Sequence, residues 1–391
     1  MSQINIKNLS NENEDGAPDI VGISTLSATS YFVPPVGNTA QRPQNPQGGD
    51  LRFNTDTASL EYFRGNTLGW SQIEMTSPNI GVSTAASTES IIGTGARGVS
   101  FSGHQAAAPV GNNDTIEYIT IATLGNSADF GNATGGAKST GAGVADRTRG
   151  IAMHSYPATR QYITFTSTGD TTTFGNHNVD TWEGAGVSNS TRGVSLGGKA
   201  PATTGTTACE YVTIQALGNG VDFGDLTVQR SELCGGVNSS TRGVVAGGRN
   251  PTNKNEIDYI EIATTGNSID FGDLSHGWRY AGGVGNSTRG VWGGGNRGNA
   301  PGTGTGTDHM EYITIATTGT ITTFGSLPTT NNKDATVGGV SSPTRGVFMG
   351  GYIQNEMNYI TIPTLGDGKD FGDLLTTKSA FAGVSNAHGG L

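Results

Sequence analysis

Charge is scarce in this chain. Asp, Glu, Lys and Arg make up 14% of its 391 residues, which excludes a disordered, charge-rich polymer. The balance is a net −10 with no Lys- or Arg-rich run. Nucleic acid is therefore not expected as a partner, because phosphate binding rests on a basic patch. Cysteine is scarcer still. Cys209 and Cys234 stand in strand-like runs without metal-type spacing and are expected to be buried free thiols. No apolar run reaches the length of a signal-peptide core or a bilayer span. The expectation is a protein made in a cytosol, with no membrane insertion. Apolar residues, at 33%, look too few for a large core, but 63 glycines stand beside them. Together they approach the usual share of about 45–50%, so much of the packing should be backbone against backbone.

What the chain does have is a repeat. An Arg-Gly-Val/Ile step, an Ile-rich run and an Asp/Thr-Phe-Gly step recur six times. The first steps begin at Arg97, Arg149, Arg192, Arg242, Arg289 and Arg345; the last carry Phe130, Phe174, Phe223, Phe271, Phe324 and Phe371. Successive arginines are 43 to 56 residues apart, the mark of a repeat architecture. One unit reads as four strands: 281–284, 289–294, 311–317 and 323–327. Large Ile alternates with small Thr or Ala in the third, a strand period with β-branched content. Turns such as Thr265-Gly266-Asn267 tolerate positive φ.

Four antiparallel strands repeated in this way predict an all-β fold, a six-bladed β-propeller of four-stranded antiparallel blades. Gly-rich strands such as 242–248 would sit near the axis, with each recurrent Phe in an outer strand between blades. A double glycine closing the second strand, a Tyr opening the third and an aromatic in the fourth resemble kelch-type propellers over residues 80–391. The outer aromatic is Phe rather than Trp, and the Trp-Asp signature of another propeller class is absent. Residues 381–386 repeat the first-strand pattern, so the C-terminal strand is expected to complete blade one and close the fold.

In such a meander, connections 1–2 and 3–4 share one face and connections 2–3 and 4–1 the other. The first pair is short and uniform; the second varies widely in length and composition. Variable insertions mark a binding face. That face would expose Gln105, Tyr156, Arg160, Arg249, Asn250, Lys254, Trp278, Arg279, Asn296, Arg297, Tyr352 and Gln354. Aromatics mixed with Asn, Gln and Arg suit a sugar or a protein surface. The six recurrent arginines are read as scaffold, each pairing with an acid such as Asp129, Asp222, Asp270 or Asp370, or capping turn carbonyls. Asp-Phe-Gly-Asp pairs fall short of the roughly six to eight oxygens that Ca²⁺ requires, and the histidines lack ligand spacing. No nucleophile elbow or phosphate loop occurs. No catalytic residue, metal or cofactor is therefore expected.

Residues 1–78 lie outside the repeat, divided into an extended segment, 1–30, and a small β-rich module, 31–78, with 79–391 left for the propeller. Residues 50–57 and 59–63 read as a hairpin, with too little apolar surface to stand alone. Here Val36-Gly37-Asn38-Thr39-Ala40-Gln41-Arg42-Pro43, then Gly49-Asp50-Leu51-Arg52-Phe53-Asn54-Thr55-Asp56-Thr57, Leu60-Glu61-Tyr62-Phe63 and Trp70 resemble a module of tailed-bacteriophage virion proteins, typical of tail fibres and related appendages. The resemblance implies a non-enzymatic virion structural protein, assembled in the host cytoplasm. Residues 1–78 would attach to other virion proteins, and the propeller would face a host-surface glycan or protein. It also implies a homo-oligomer, with a trimer favoured. A long fibrous shaft is missing, which keeps a capsid or neck decoration protein without a ligand open. A propeller glycoside hydrolase acting on surface polysaccharide is the alternative from another class.

Overall fold

A computed structural model of the chain describes residues 34–56, 59–72, 96–105, 111–134, 141–153, 159–201, 204–298, 305–319, 321–328, 338–351 and 354–391. Among them the chain is all-β, with one 3-10 turn, Thr39–Gln41, and no α-helix. It divides into two compact units, Met1–Val82 and Ser83–Leu391.

The first unit holds one sheet. Val36–Gly37 runs parallel to Leu51–Asn54, which pairs antiparallel with Ser59–Phe63 and, through it, with Trp70–Gln72. Strand alternation places Arg52, Asn54, Glu61, Phe63 and Trp70 on one face. The fully buried Glu61 carboxylate takes two hydrogen bonds from Arg42 and one from Asn54. The Arg42 bond holds that carboxyl below the usual range against the pull of burial. Phe63 packs on Trp70 at 5.5 Å. The core of this small sheet is thus an ion cluster capped by aromatics, which accounts for its low apolar content.

Among the described residues, the second unit holds six four-stranded antiparallel sheets. Sheet 3 shows the plan: Ala185–Ser188, Arg192–Leu196, Thr206–Thr213 and Val221–Arg230, each paired with the next. Sheets 2, 4, 5 and 6 repeat it over 143–176, 237–273, 282–326 and 338–373. Sheet 1 is assembled from both ends of the unit. Ala382–Ser385 pairs with Arg97–Phe101, followed by Thr115–Thr120 and Ala128–Asn132. The first strands lie side by side in sheet order, and that of sheet 6 meets that of sheet 1, which meets sheet 2.

The recurrent residues follow from this arrangement. A Cβ on Gly186 would lie 2.5 Å from the Gly143 carbonyl oxygen, on Gly339 2.1 Å from that of Gly283, and on Gly383 2.4 Å from that of Gly339. The first strands therefore meet backbone to backbone. This closest approach falls one strand earlier than the Arg-Gly-Val run in which it was expected. In that run a Cβ on Gly193 would instead meet the Val144 side chain at 2.4 Å, because the second strand lies one layer further from its neighbours. The Phe-Gly step is a bulge. Cys209 pairs with Gly224 and Glu210 with Asp222, leaving Phe223 as the extra residue. Gly224 then takes φ +140°, which favours glycine, and the Phe223 carbonyl accepts from Gly266 N–H of the next sheet at 2.7 Å. All six sheets carry the register shift. Each bulged Phe meets its sheet's Tyr edge-on at 6.0–6.2 Å.

Each recurrent Arg stacks over that Tyr at 4.2–4.6 Å. It also donates to a carbonyl at the end of the next sheet's third strand: Arg192 to Ile262, Arg289 to Ile362, and Arg345 of sheet 6 to Ile121 of sheet 1. The acids expected as partners, Asp129, Asp222, Asp270 and Asp370, are exposed. Carbonyl capping prevails because the guanidinium has crossed into the neighbouring sheet; among the six, Arg242 alone pairs with an acid, Glu261. The cores lie between sheets: Val187, Val194 and Leu196 of sheet 3 pack with Val245, Ile260 and Ile262 of sheet 4. Burying each such side chain stabilises by about 1.5–3 kcal/mol. Cys209 and Cys234 are buried and free, and burial pushes both thiols up to about 12.

Candidate functional site

The two ends of the sheets differ. At the end of the 1–2 turns, Asn189 Oδ1 accepts from Thr191 N–H and Arg192 N–H, and Asn286 and Asp146 do the same in their sheets. Asn386, from the far end of the chain, serves Arg97 N–H at 2.8 Å. At the opposite end, connections 4–1 and 2–3 meet in antiparallel bridges, Trp182 with Lys199, Ser231 with Arg249 and Ser379 with His104, and in places extend into further strands. Trp278–Arg279, Asn296–Arg297 and Thr305–Gly306 form an extra three-stranded sheet. Gly103–Gln105 pairs with Gly111–Asn113.

Of the expected binding-face residues, Tyr156 and Tyr352 lie outside the described residues, and Gln105 ends the strand just named. The Arg249 side chain is 41% exposed. Asn250, Lys254, Arg279, Arg297 and Gln354 are half-buried. Arg160, Trp278 and Asn296 are buried and so correct the expectation. Arg160 reaches across to sheet 3, where Nη2 donates to Glu210 Oε2 at 2.7 Å, and Nη1 donates to the Asn176 carbonyl. Trp278 Nε1–H donates to the Gly294 carbonyl at 2.7 Å under the extra sheet. Asn296 Oδ1 accepts from Asn253 Nδ2. These side chains hold connections down.

Sequence reasoning missed a second recurrence. The residue before each third-strand Tyr is polar and buried: Glu117, Gln161, Glu210, Asp258, Glu311 and Asn358. A polar residue at that fixed offset was the available signal. Four of these acceptors meet cations that come from unrelated places: Lys378, Arg160, Arg230 and Arg297 respectively for Glu117, Glu210, Asp258 and Glu311. Burial pulls Lys378 down, against the attraction of Glu117.

Two constellations gather at this end. In one, Glu311 accepts from Ser275, His309 and Arg297, whose Nη2 also lies 2.6 Å from His276 Nδ1. These partners outweigh burial and hold the Glu311 carboxyl below its usual range. In the other, Glu183, Glu232 and Tyr280 occupy left-handed turns entering the first strands of sheets 3, 4 and 5, at φ +59°, +54° and +60°. Glu232 takes Arg279 Nη1 and has Arg249 Nη1 at 3.6 Å. Burial, then the nearby Glu232 charge, pushes the Glu183 carboxyl up, and burial raises the Tyr280 phenol it bonds. Lys199 lies 6.0 Å from the half-buried Trp182 ring. A small cavity of about 80 Å³ is lined largely by first-strand glycines; Gly141 in its wall lies close to the Glu183 backbone.

No protein-family model matches the chain, and no curated protein matches it. Among the described residues, no three metal-binding side chains gather and no helix is long and apolar enough to cross a membrane.

Proposed function

We propose that the six sheets are the blades of a kelch-like β-propeller, carried on a virion by residues 1–78, and that its unrepeated end binds a host-surface glycan without chemistry. The side-by-side order of first strands, returning from sheet 6 to sheet 1, supports the propeller. The observation that carries the binding role is the contrast between ends. One end repeats Asx turns and Arg caps, while the other carries Trp182, Tyr280, Arg249 and two glutamates on connections whose residue types change from sheet to sheet. Planar aromatics beside polar and charged groups suit sugar faces and hydroxyls. The attachment role rests on the resemblance of the separate N-terminal unit to phage appendage modules.

Mass spectrometry of purified particles should detect the chain, and a chain lacking residues 1–78 should stay off them; absence of the full chain from particles would sink the virion reading. A glycoside hydrolase is favoured by one observation, the Glu183 carboxyl raised beside Glu232, since environments that separate two carboxyls suit acid and base roles. Release of reducing ends from host polysaccharide, abolished by Glu183→Gln, would replace binding by hydrolysis.

A further inference from the structure

We infer that the saccharide bound at the unrepeated end is acidic, its carboxylate held by Arg249 and Arg279 and a ring hydroxyl by Glu183. This rests on the reading of that end as a glycan-binding surface. The local charge reverses that of the chain. Lys199, Arg249 and Arg279 stand against two carboxylates, Glu183 and Glu232, in a protein of net −10.

Arg249 has capacity to spare. Its Nε–H donates to the Pro251 carbonyl at 3.1 Å, and its Nη1 sits 3.6 Å from Glu232, beyond hydrogen-bond reach. The other guanidinium N–H groups of this exposed side chain remain for a planar oxyanion, which a guanidinium fork matches. Arg279 adds a second donor: its Nε is buried without an acceptor, while Glu183 Oε2 is buried without a donor. An unmet donor and an unmet acceptor on neighbouring side chains call for a ligand carrying both an acid oxygen and a hydroxyl. A neutral sugar offers hydroxyls to both but leaves the surplus positive charge unpaired. Trp182, beside Lys199, supplies the apolar plate on which a pyranose ring stacks.

The test uses the full chain on an array of immobilised acidic polysaccharides (polygalacturonate, alginate, hyaluronate, polysialate), their carboxyl-reduced counterparts, and neutral dextran, galactan and mannan. Binding is expected on acidic members alone and should be lost on carboxyl reduction. Arg249→Gln should weaken it about tenfold or more, the scale of a lost charge contact. Lys369→Gln, at an exposed position of sheet 6, should leave it unchanged. Equal binding to carboxyl-reduced or neutral members overturns the inference and leaves the glycan reading standing. So does full binding by a folded Arg249→Gln/Arg279→Gln variant. Retention on no polysaccharide overturns the glycan reading itself and the inference with it.

Discussion

The two ends of the six sheets meet the same physical demand in opposite ways. Every junction between sheets must satisfy polar groups that the strands leave behind. At the 1–2 and 3–4 turns the solution is one set of residues used repeatedly: an Asx-type turn, an Arg on a Tyr, and a bulged Phe-Gly taking an N–H from the next sheet. At the other end the demand also recurs, since a buried polar residue precedes every Tyr, but its partners change from sheet to sheet. Lys378 comes from the connection leaving sheet 6, Arg160 from a third strand, and Arg230 from the extended fourth strand of sheet 3. A demand that several loops satisfy leaves those loops free to differ.

Four stability measurements and one control sharpen or break this contrast. Deleting residues 380–391 removes the first strand of sheet 1 with buried Phe381, Ala382 and Val384. The melting temperature should fall by roughly 10 °C or more; an unchanged value would show that pairing by this strand is dispensable. Lys378→Met leaves Glu117 buried without the cation that now lies 3.0 Å away and should cost about 3–5 kcal/mol in denaturant unfolding. A loss under 1 kcal/mol would mean that hydroxyl and backbone donors alone hold the carboxylate. Gly339→Ala drives a Cβ to 2.1 Å from the Gly283 oxygen, with an expected loss of about 1–3 kcal/mol.

The fourth measurement concerns pH. His388 Nε2–H donates to the Ala145 carbonyl at 2.8 Å while Nδ1 accepts from Gly390 N–H, and burial lowers its pKa from 6.5 to about 4. The unfolded chain therefore binds this proton first as pH falls. The contribution is intact above pH 6.5, is lost as pH drops toward 4, and levels off below. His388→Gln should flatten the stability profile in that window relative to the parent; identical slopes would remove His388 from the account. As the control, Arg249→Gln at the other end should change stability by no more than about 0.5 kcal/mol, so that any loss of binding reads as loss of contact.

The strand runs, turn types and sixfold period were legible along the chain, because each is written in residues a few positions apart. The burial of Arg160, Trp278 and Asn296 was not. Each sits in a loop-like stretch, and its partner lies across a sheet boundary or under an extra sheet formed only by tertiary pairing. The cluster of Glu183, Glu232, Arg249 and Arg279 was half legible: both arginines were expected on the binding face, while the glutamates looked like ordinary loop acids. They become neighbours only because connections of sheets 2 to 5 converge.

Local chemistry thus sufficed for the strands and turns of the scaffold. Period, β-branched alternation and turn residues specify strands and turns, since those demands are met within one repeat, whereas the Phe-Gly bulge and the first-strand glycines that touch were set by neighbouring sheets. Which charges are buried, which loop arginines stay open and which acids share a site were decided by folding. Those properties depend on distances between segments as far apart as Glu117 and Lys378, and neither desolvation nor a Coulomb interaction has a value until the chain has brought them together.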